Sequence, residues 1–256
     1  MLAKLRLSGR KAADGHRELL RPSWPSNEQP AASGEQPDVA LGKLADQEFE
    51  AVIFDMDGTL IDSTPAVDRA WTTWAVEHGL TRADLAGNHG VPSAGVVRKV
   101  LPAELHHTAI ERINVLELED VEGIAVLPGA ADALASLTSA KNAIATSCTV
   151  PLAKARIAAA ALVPPSVLVT ADDVARGKPA PDPFLEAAKR LDADPKRCLV
   201  VEDAPAGLQA AKAAGCFTLA VITTTLVEEL DADAVVPNLA SVAFEVTETG
   251  IRIRLA

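Results

Sequence analysis

The stretch Ala51-Val52-Ile53-Phe54-Asp55-Met56-Asp57-Gly58-Thr59 joins four apolar residues to two carboxylates, a glycine and a hydroxyl. An apolar run this short, bounded by a turn residue, has the length of a buried strand rather than a helix. Comparable runs alternate with helical segments downstream. Gly129 to Leu137 reads as a helix, Ala143-Ile144-Ala145 as a strand and Pro151 to Leu162 as a helix. Val167-Leu168-Val169 reads as a strand, Pro183 to Leu191 as a helix and Cys198-Leu199-Val200-Val201 as a strand. Pro205 to Ala214 follows as a helix and Phe217 to Ile222 as a strand. Short apolar strands separated by helices of about ten residues predict βαβ units and a parallel sheet.

A helical region from about Pro65 to Leu118 separates the first strand from the others. Pro65 suits a first helical turn. The region is too long for a loop and predicts a small separate subdomain, a lid. Phe244-Glu245-Val246 and Ile251-Arg252-Ile253 flank a Thr-Glu-Thr-Gly turn and predict a terminal hairpin. Met1 to Asp46 holds four prolines and no sustained apolar period, which predicts a disordered extension or an over-long start of the reading frame. The expected division is therefore an extension over 1–46, an α/β core over 47–64 and 126–256, and a helical cap over 65–125.

Composition narrows the function. At 48% hydrophobic and 23% charged, the 256 residues are globular in composition. A net charge of −11 argues against nucleic acid, whose binding draws on Lys and Arg. No apolar run approaches the ~18 residues needed to span a bilayer, so no membrane role is expected. Three cysteines without metal-ligand spacing predict a reducing compartment and no disulfide framework. With no secretory leader in view, a cytoplasmic location is the expectation.

Ligands of open parallel sheets bind beyond the carboxyl ends of the strands. The first strand ends in Asp55 and Asp57, the second in Thr146 and Ser147. The third leads to Lys178, and the fourth ends in Glu202 and Asp203. Four clustered carboxylates repel one another unless a cation joins them, and hard oxygen donors favour Mg²⁺. One lysine beside a metal suits a phosphate dianion. Residues i and i+2 of an extended chain face one side, which would aim Asp55 and Asp57 into one site. One carboxylate can attack phosphorus while the other handles the leaving-group proton. Singly, each piece has a plainer explanation as a loop, a helix cap or a solvated charge. Their conjunction at successive strand ends favours a phosphoryl-transfer site.

These residues resemble the four motifs of the haloacid-dehalogenase superfamily. The first motif is Asp55-Met56-Asp57-Gly58-Thr59-Leu60-Ile61-Asp62-Ser63, the second Thr146, the third Lys178 in Gly-Lys-Pro-Ala-Pro-Asp, and the fourth Glu202-Asp203. The resemblance covers about residues 50–255 and implies an α/β fold: a Rossmann-like parallel sheet core with an inserted all-helical cap subdomain. Within the superfamily the chain is similar to sugar phosphatases, on Asp62 through Ala70-Trp71 to His78-Gly79, on Glu122-Gly123-Ile124 and Leu127-Pro128-Gly129-Ala130, and on Val201 to Gly207. The resemblance implies Asp55 as nucleophile and Asp57 as general acid and base. It places Mg²⁺ on Asp55, the Asp57 carbonyl and Asp203, with Glu202 reaching it through water. Thr146, Ser147 and Lys178 would hold phosphate. The substrate would be a small phosphorylated sugar or polyol.

One departure concerns the cap. The sequence His89-Gly90-Val91-Pro92-Ser93 has Pro92 where relatives carry a basic or amide residue; Arg98 and Lys99 either replace it or face solvent. A sugar phosphomutase of the β-phosphoglucomutase type is the nearest alternative, but those mutases carry a histidine where this chain has Val67, and usually lack Thr59. A non-catalytic phosphate-binding module is the alternative of another class; intact Asp55, Asp57, Lys178 and Asp203 speak against it. Cys148 lacks a partnering histidine and reads as a small buried residue. Trp71 and Trp74 read as cap core.

Overall fold

The computed structural model describes residues 40–88 and 90–256. Its centre is a six-stranded sheet of β1(Ala51–Phe54), β4(Lys141–Ala145), β5(Val167–Val169), β6(Cys198–Glu202), β7(Phe217–Val221) and β8(Ala234–Val236). The strand order is β5-β4-β1-β6-β7-β8, and every neighbouring pair runs parallel. The unbroken apolar run of β1 follows from helices on both faces. Val52 and Phe54 look into one cluster with α5(Ala130–Ser136) and α6(Val150–Ala159). Ala51 and Ile53 look into the other, with α7(Asp182–Arg190) and α8(Pro205–Ala214). The expected terminal hairpin is β9(Val242–Val246) against β10(Ile251–Leu255), and Phe244 closes the first cluster edge-on against Phe54.

Between β1 and β4 the chain forms α1(Thr64–Glu77), α2(Arg82–Leu85), α3(Ser93–Val100) and α4(His106–Glu119). This helical insert has its own small core of Ala70, Trp74, Val97, Ala109 and Ile113. Trp74 is fully buried there and donates its indole N–H to the Ala109 carbonyl at 2.9 Å. Where the chain leaves and re-enters the sheet domain, β2(Ile61–Asp62) pairs antiparallel with β3(Ala125–Val126). Two residues per strand carry no readable period, so the sequence does not announce this pair.

Two further features depart from expectation. β8 is a sixth strand of three residues, added at the sheet edge beyond β7. The extension expected over 1–46 does not hold for its last residues: Leu41 caps and Leu44 ends a single helical turn, and both are buried in the main cluster. Two leucines three apart are too few to show a period, which is why they fall within the predicted extension. The rest of that expectation, on residues 1–39, lies outside the described residues, as does His89. Among the described residues, no helix is long and apolar enough to cross a membrane.

Candidate active site

From β1 the chain proceeds towards β4 on one side, and from β6 towards β7 on the other. This reversal opens a crevice at the carboxyl ends of β1 and β6, where open α/β sheets bind ligands. Asp55 follows β1 directly, its N–H donating to the Val201 carbonyl on β6 at 2.9 Å. Glu202 closes β6, and Asp203 comes next. Ligand oxygens of Asp55, Glu202 and Asp203 lie within 4.8 Å of one another, all on buried residues.

Lys178 arrives from the loop before α7 and donates to Asp55 and, at 2.8 Å, to Glu202. Its ammonium also lies 5.1 Å from the ring centre of Phe184. Glu202 is fully engaged: Oε1 accepts from Lys178, while Oε2 accepts the backbone N–H groups of Asp203 and Ala204 at 2.7 and 2.8 Å. Asp203 accepts from Thr59 Oγ1 at 3.1 Å and from the Thr224 hydroxyl. The close quarters depend on Gly58, which sits at φ +87° and whose missing Cβ would lie 2.2 Å from Asp203 Oδ2. Only glycine meets both conditions.

Three buried carboxylates facing one lysine leave uncompensated negative charge. Burial pushes the Asp55 carboxyl up to about 7; Lys178 pulls it back, and Glu202 and Asp57 add to the rise. Burial likewise holds Asp203 well above the ordinary carboxylate range, reinforced by Glu202 and Asp55. For Lys178, burial acts against the charge, but Asp55 and Glu202 outweigh it and keep the ammonium charged. An all-oxygen cluster with surplus negative charge fits a hard divalent cation. Asp55, Glu202 and Asp203 each place a carboxylate oxygen within reach of such a cation, although both oxygens of Glu202 and both of Asp203 already accept hydrogen bonds.

The remaining expected residues sit on the flank. Thr146 follows β4, is buried, and accepts the Cys148 N–H at 3.1 Å. Ser147 reaches into the insert, donating to the Gly90 carbonyl at 2.9 Å. Asp57 lies beyond the extended part of β1, and its carboxylate turns towards α6. There Oδ1 accepts from Arg156 Nη1 at 2.9 Å, and Oδ2 from the Cys148 thiol at 3.1 Å. Burial, with Asp57 adding to it, pushes that thiol well above its usual range, so Cys148 stays a neutral donor and not a nucleophile.

Arg156, Glu117 and Thr224 are the neighbours that sequence reasoning missed. A lone arginine within the predicted helix after β4 carries no motif, and Glu117 lies 39 residues before it, on α4. Arg98 and Lys99 are exposed, and Lys99 Nζ donates to Asn88 Oδ1 at 3.1 Å.

Known proteins share the sequence and fold that carry this crevice. Residues 49–215 match the haloacid dehalogenase-like hydrolases. Hexitol phosphatase A of Escherichia coli (strain K12) is 44% identical over 175 residues, 66% of this chain and 81% of the relative. Glycerol-1-phosphate phosphohydrolase 2 of Saccharomyces cerevisiae is 33% identical over 211 residues, 75% of this chain and 83% of the relative. A solved hydrolase from Pseudomonas syringae superposes with a TM-score of 0.68 at 28% identity, covering 74% of this chain and 94% of that one. The family match takes in well over half of the chain, including all four strand ends of the crevice, and the chain belongs to the haloacid dehalogenase-like hydrolases.

Proposed function

We propose that the chain is a Mg²⁺-dependent phosphatase of small sugar or polyol phosphates, working through a phosphorylated Asp55. The observation that carries this reading is the meeting of Asp55, Asp203, Glu202 and Lys178 at one sheet crevice. Asp55 Oδ1 is held by Lys178, which leaves Oδ2 to attack phosphorus. The bond to the sugar oxygen breaks as the new P–O bond forms, and Asp57 donates the proton that the departing alkoxide needs. Asp57 then takes a proton from water, which attacks the same phosphorus and releases Asp55 and inorganic phosphate. Thr146, Ser147 and Lys178 orient the phosphate oxygens. Asp55 and Asp203, with the Asp57 carbonyl, would hold Mg²⁺, and Glu202 would reach it through water. That ion supplies charge neutralisation, which is most of what phosphoryl transfer asks of a protein. Glu202 anchors Lys178 and the turn after β6. The helical insert acts as a cap that excludes water.

The test is phosphate release from glycerol 1-phosphate and hexitol phosphates, with and without Mg²⁺. The wild-type chain should require Mg²⁺, and Asp55→Asn should lose turnover by at least about a thousandfold while its unfolding transition persists. Undiminished turnover by Asp55→Asn would sink the nucleophile assignment.

A further inference from the structure

Arg156 lies on core helix α6, yet it also touches the insert. Its Nη1 donates to Asp57 Oδ1 at 2.9 Å and its Nη2 to Glu117 Oε1 of α4 at 3.1 Å. The other Glu117 oxygen accepts from Ser93 Oγ at 2.9 Å. Ser93 directly follows Pro92, whose ring packs so tightly on the loop bearing Lys178 that a Cβ on Gly177 would fall 2.4 Å from it. Polar contacts therefore run from Ser93, next to this packing contact, through Glu117 and Arg156 to Asp57.

Stability does not explain this arrangement. The side chains of Arg156 and Glu117 are 4% and 5% exposed, and buried ion pairs gain little over apolar packing of the same volume. The Arg156 Nε–H, moreover, is buried without an acceptor among the described residues, which is a cost. What the arrangement does achieve is a fixed Asp57 carboxylate.

We propose that Arg156 is a positioning residue that aligns Asp57 for proton transfer only while α4 is seated on the core. Asp57 is gripped unequally. Its Oδ1 takes a charged donor, whereas its Oδ2 takes a thiol, a weak donor that yields readily to a substrate oxygen. Oδ2 is thus the oxygen that exchanges the proton, and Arg156 holds the other. Lifting α4 withdraws Glu117, frees the guanidinium to swing, and misaligns Asp57. The acid–base step is confined in this way to the water-excluding state. The inference rests on the reading of Asp57 as proton donor and acceptor.

The test uses the full chain with Arg156→Met, Glu117→Leu and the double variant. Arg156→Lys is a second probe of the arginine, since it keeps the buried charge but cannot fork to both carboxylates. Two substrates separate positioning from folding: the polyol phosphate turned over best by the wild type, and p-nitrophenyl phosphate, whose nitrophenolate departs without a proton. With the polyol phosphate, each single variant should lower kcat about 10- to 100-fold, with KM within about 3-fold. The double variant should lose no more than the worse single, because both act through one contact. The nitrophenolate burst, which precedes hydrolysis of the phosphoenzyme, should fall less than about 3-fold. A folded Arg156→Met or Arg156→Lys with unchanged polyol turnover overturns the proposal, as do multiplicative losses or an equal loss on both substrates. Asp57→Asn distinguishes the two levels. If it retains turnover, the reading of Asp57 itself is wrong; if it is inactive while Arg156→Met is fully active, only the role of Arg156 falls.

Discussion

At Gly207, two opposing effects can be weighed. Alanine in a helix interior normally gains about 1 kcal/mol over glycine. Here the added Cβ would fall 1.6 Å from Glu202 Oε1, the oxygen that holds Lys178. Overpacking at a rigid site costs about 1–3 kcal/mol. The clash should therefore win: Gly207→Ala is expected to melt earlier than wild type and to lose most of its turnover. Calorimetry and a phosphate-release assay check both, and a variant with raised Tm and full activity would show that Glu202 has room to move. The same residue scale marks the edge of what sequence reveals. Asp55, Lys178 and Asp203 are visible because each ends a strand or enters the crevice by a short loop. Arg156 is not, because nothing local distinguishes a functional arginine from a solvated one.

At the scale of the element, the short turn at Gly42–Leu44 carries a sharp expectation. Leu44 is fully buried against the main cluster. Leu44→Ala should cost about 2–5 kcal/mol, the range for truncating a buried leucine. If residues 40–46 were a loose tail the cost would be near zero, and chemical denaturation of the point variant separates the two. β1 teaches a related lesson. Its alternation suggested that Asp55 and Asp57 would face the same way. The strand ends at Phe54, before either carboxylate, and Asp57 bonds Arg156 of α6 while lying near enough to Asp55 to help raise its pKa. A period argument holds only as far as the element that generates it.

For the molecule as a whole, the surplus charge in the crevice couples pH to stability. The Asp55 carboxyl rises from an ordinary value of 3.8 to about 7, chiefly through burial, so the folded protein keeps a proton that the unfolded chain releases between those values. The unfolded state then binds fewer protons, and stability falls as pH rises through this window. Asp203, raised for the same reason, acts in the same sense. Mg²⁺ binds the deprotonated carboxylates and should reverse the loss. In thermal scans, added Mg²⁺ should raise Tm more at pH 8 than at pH 5. A hundredfold excess over Kd is worth about 2.7 kcal/mol at the higher pH. Equal increments at both pH values, or none, would argue against these carboxylates as the metal site.

The alternation of strands and helices is written in the chain, and with it a parallel sheet whose strand ends carry the acidic and basic residues of the crevice. That much was legible because each signal is local: an apolar run, a glycine turn, a carboxylate at a strand end. It takes the folded molecule to set which carboxylate oxygens Lys178 commits, which partners Asp57 bonds, that Leu41 and Leu44 belong to the core, and that Arg156 of α6 meets Glu117 of α4. Those contacts join residues far apart in the chain, and their geometry is set by how helices seat on one another, a property that no stretch of sequence contains alone.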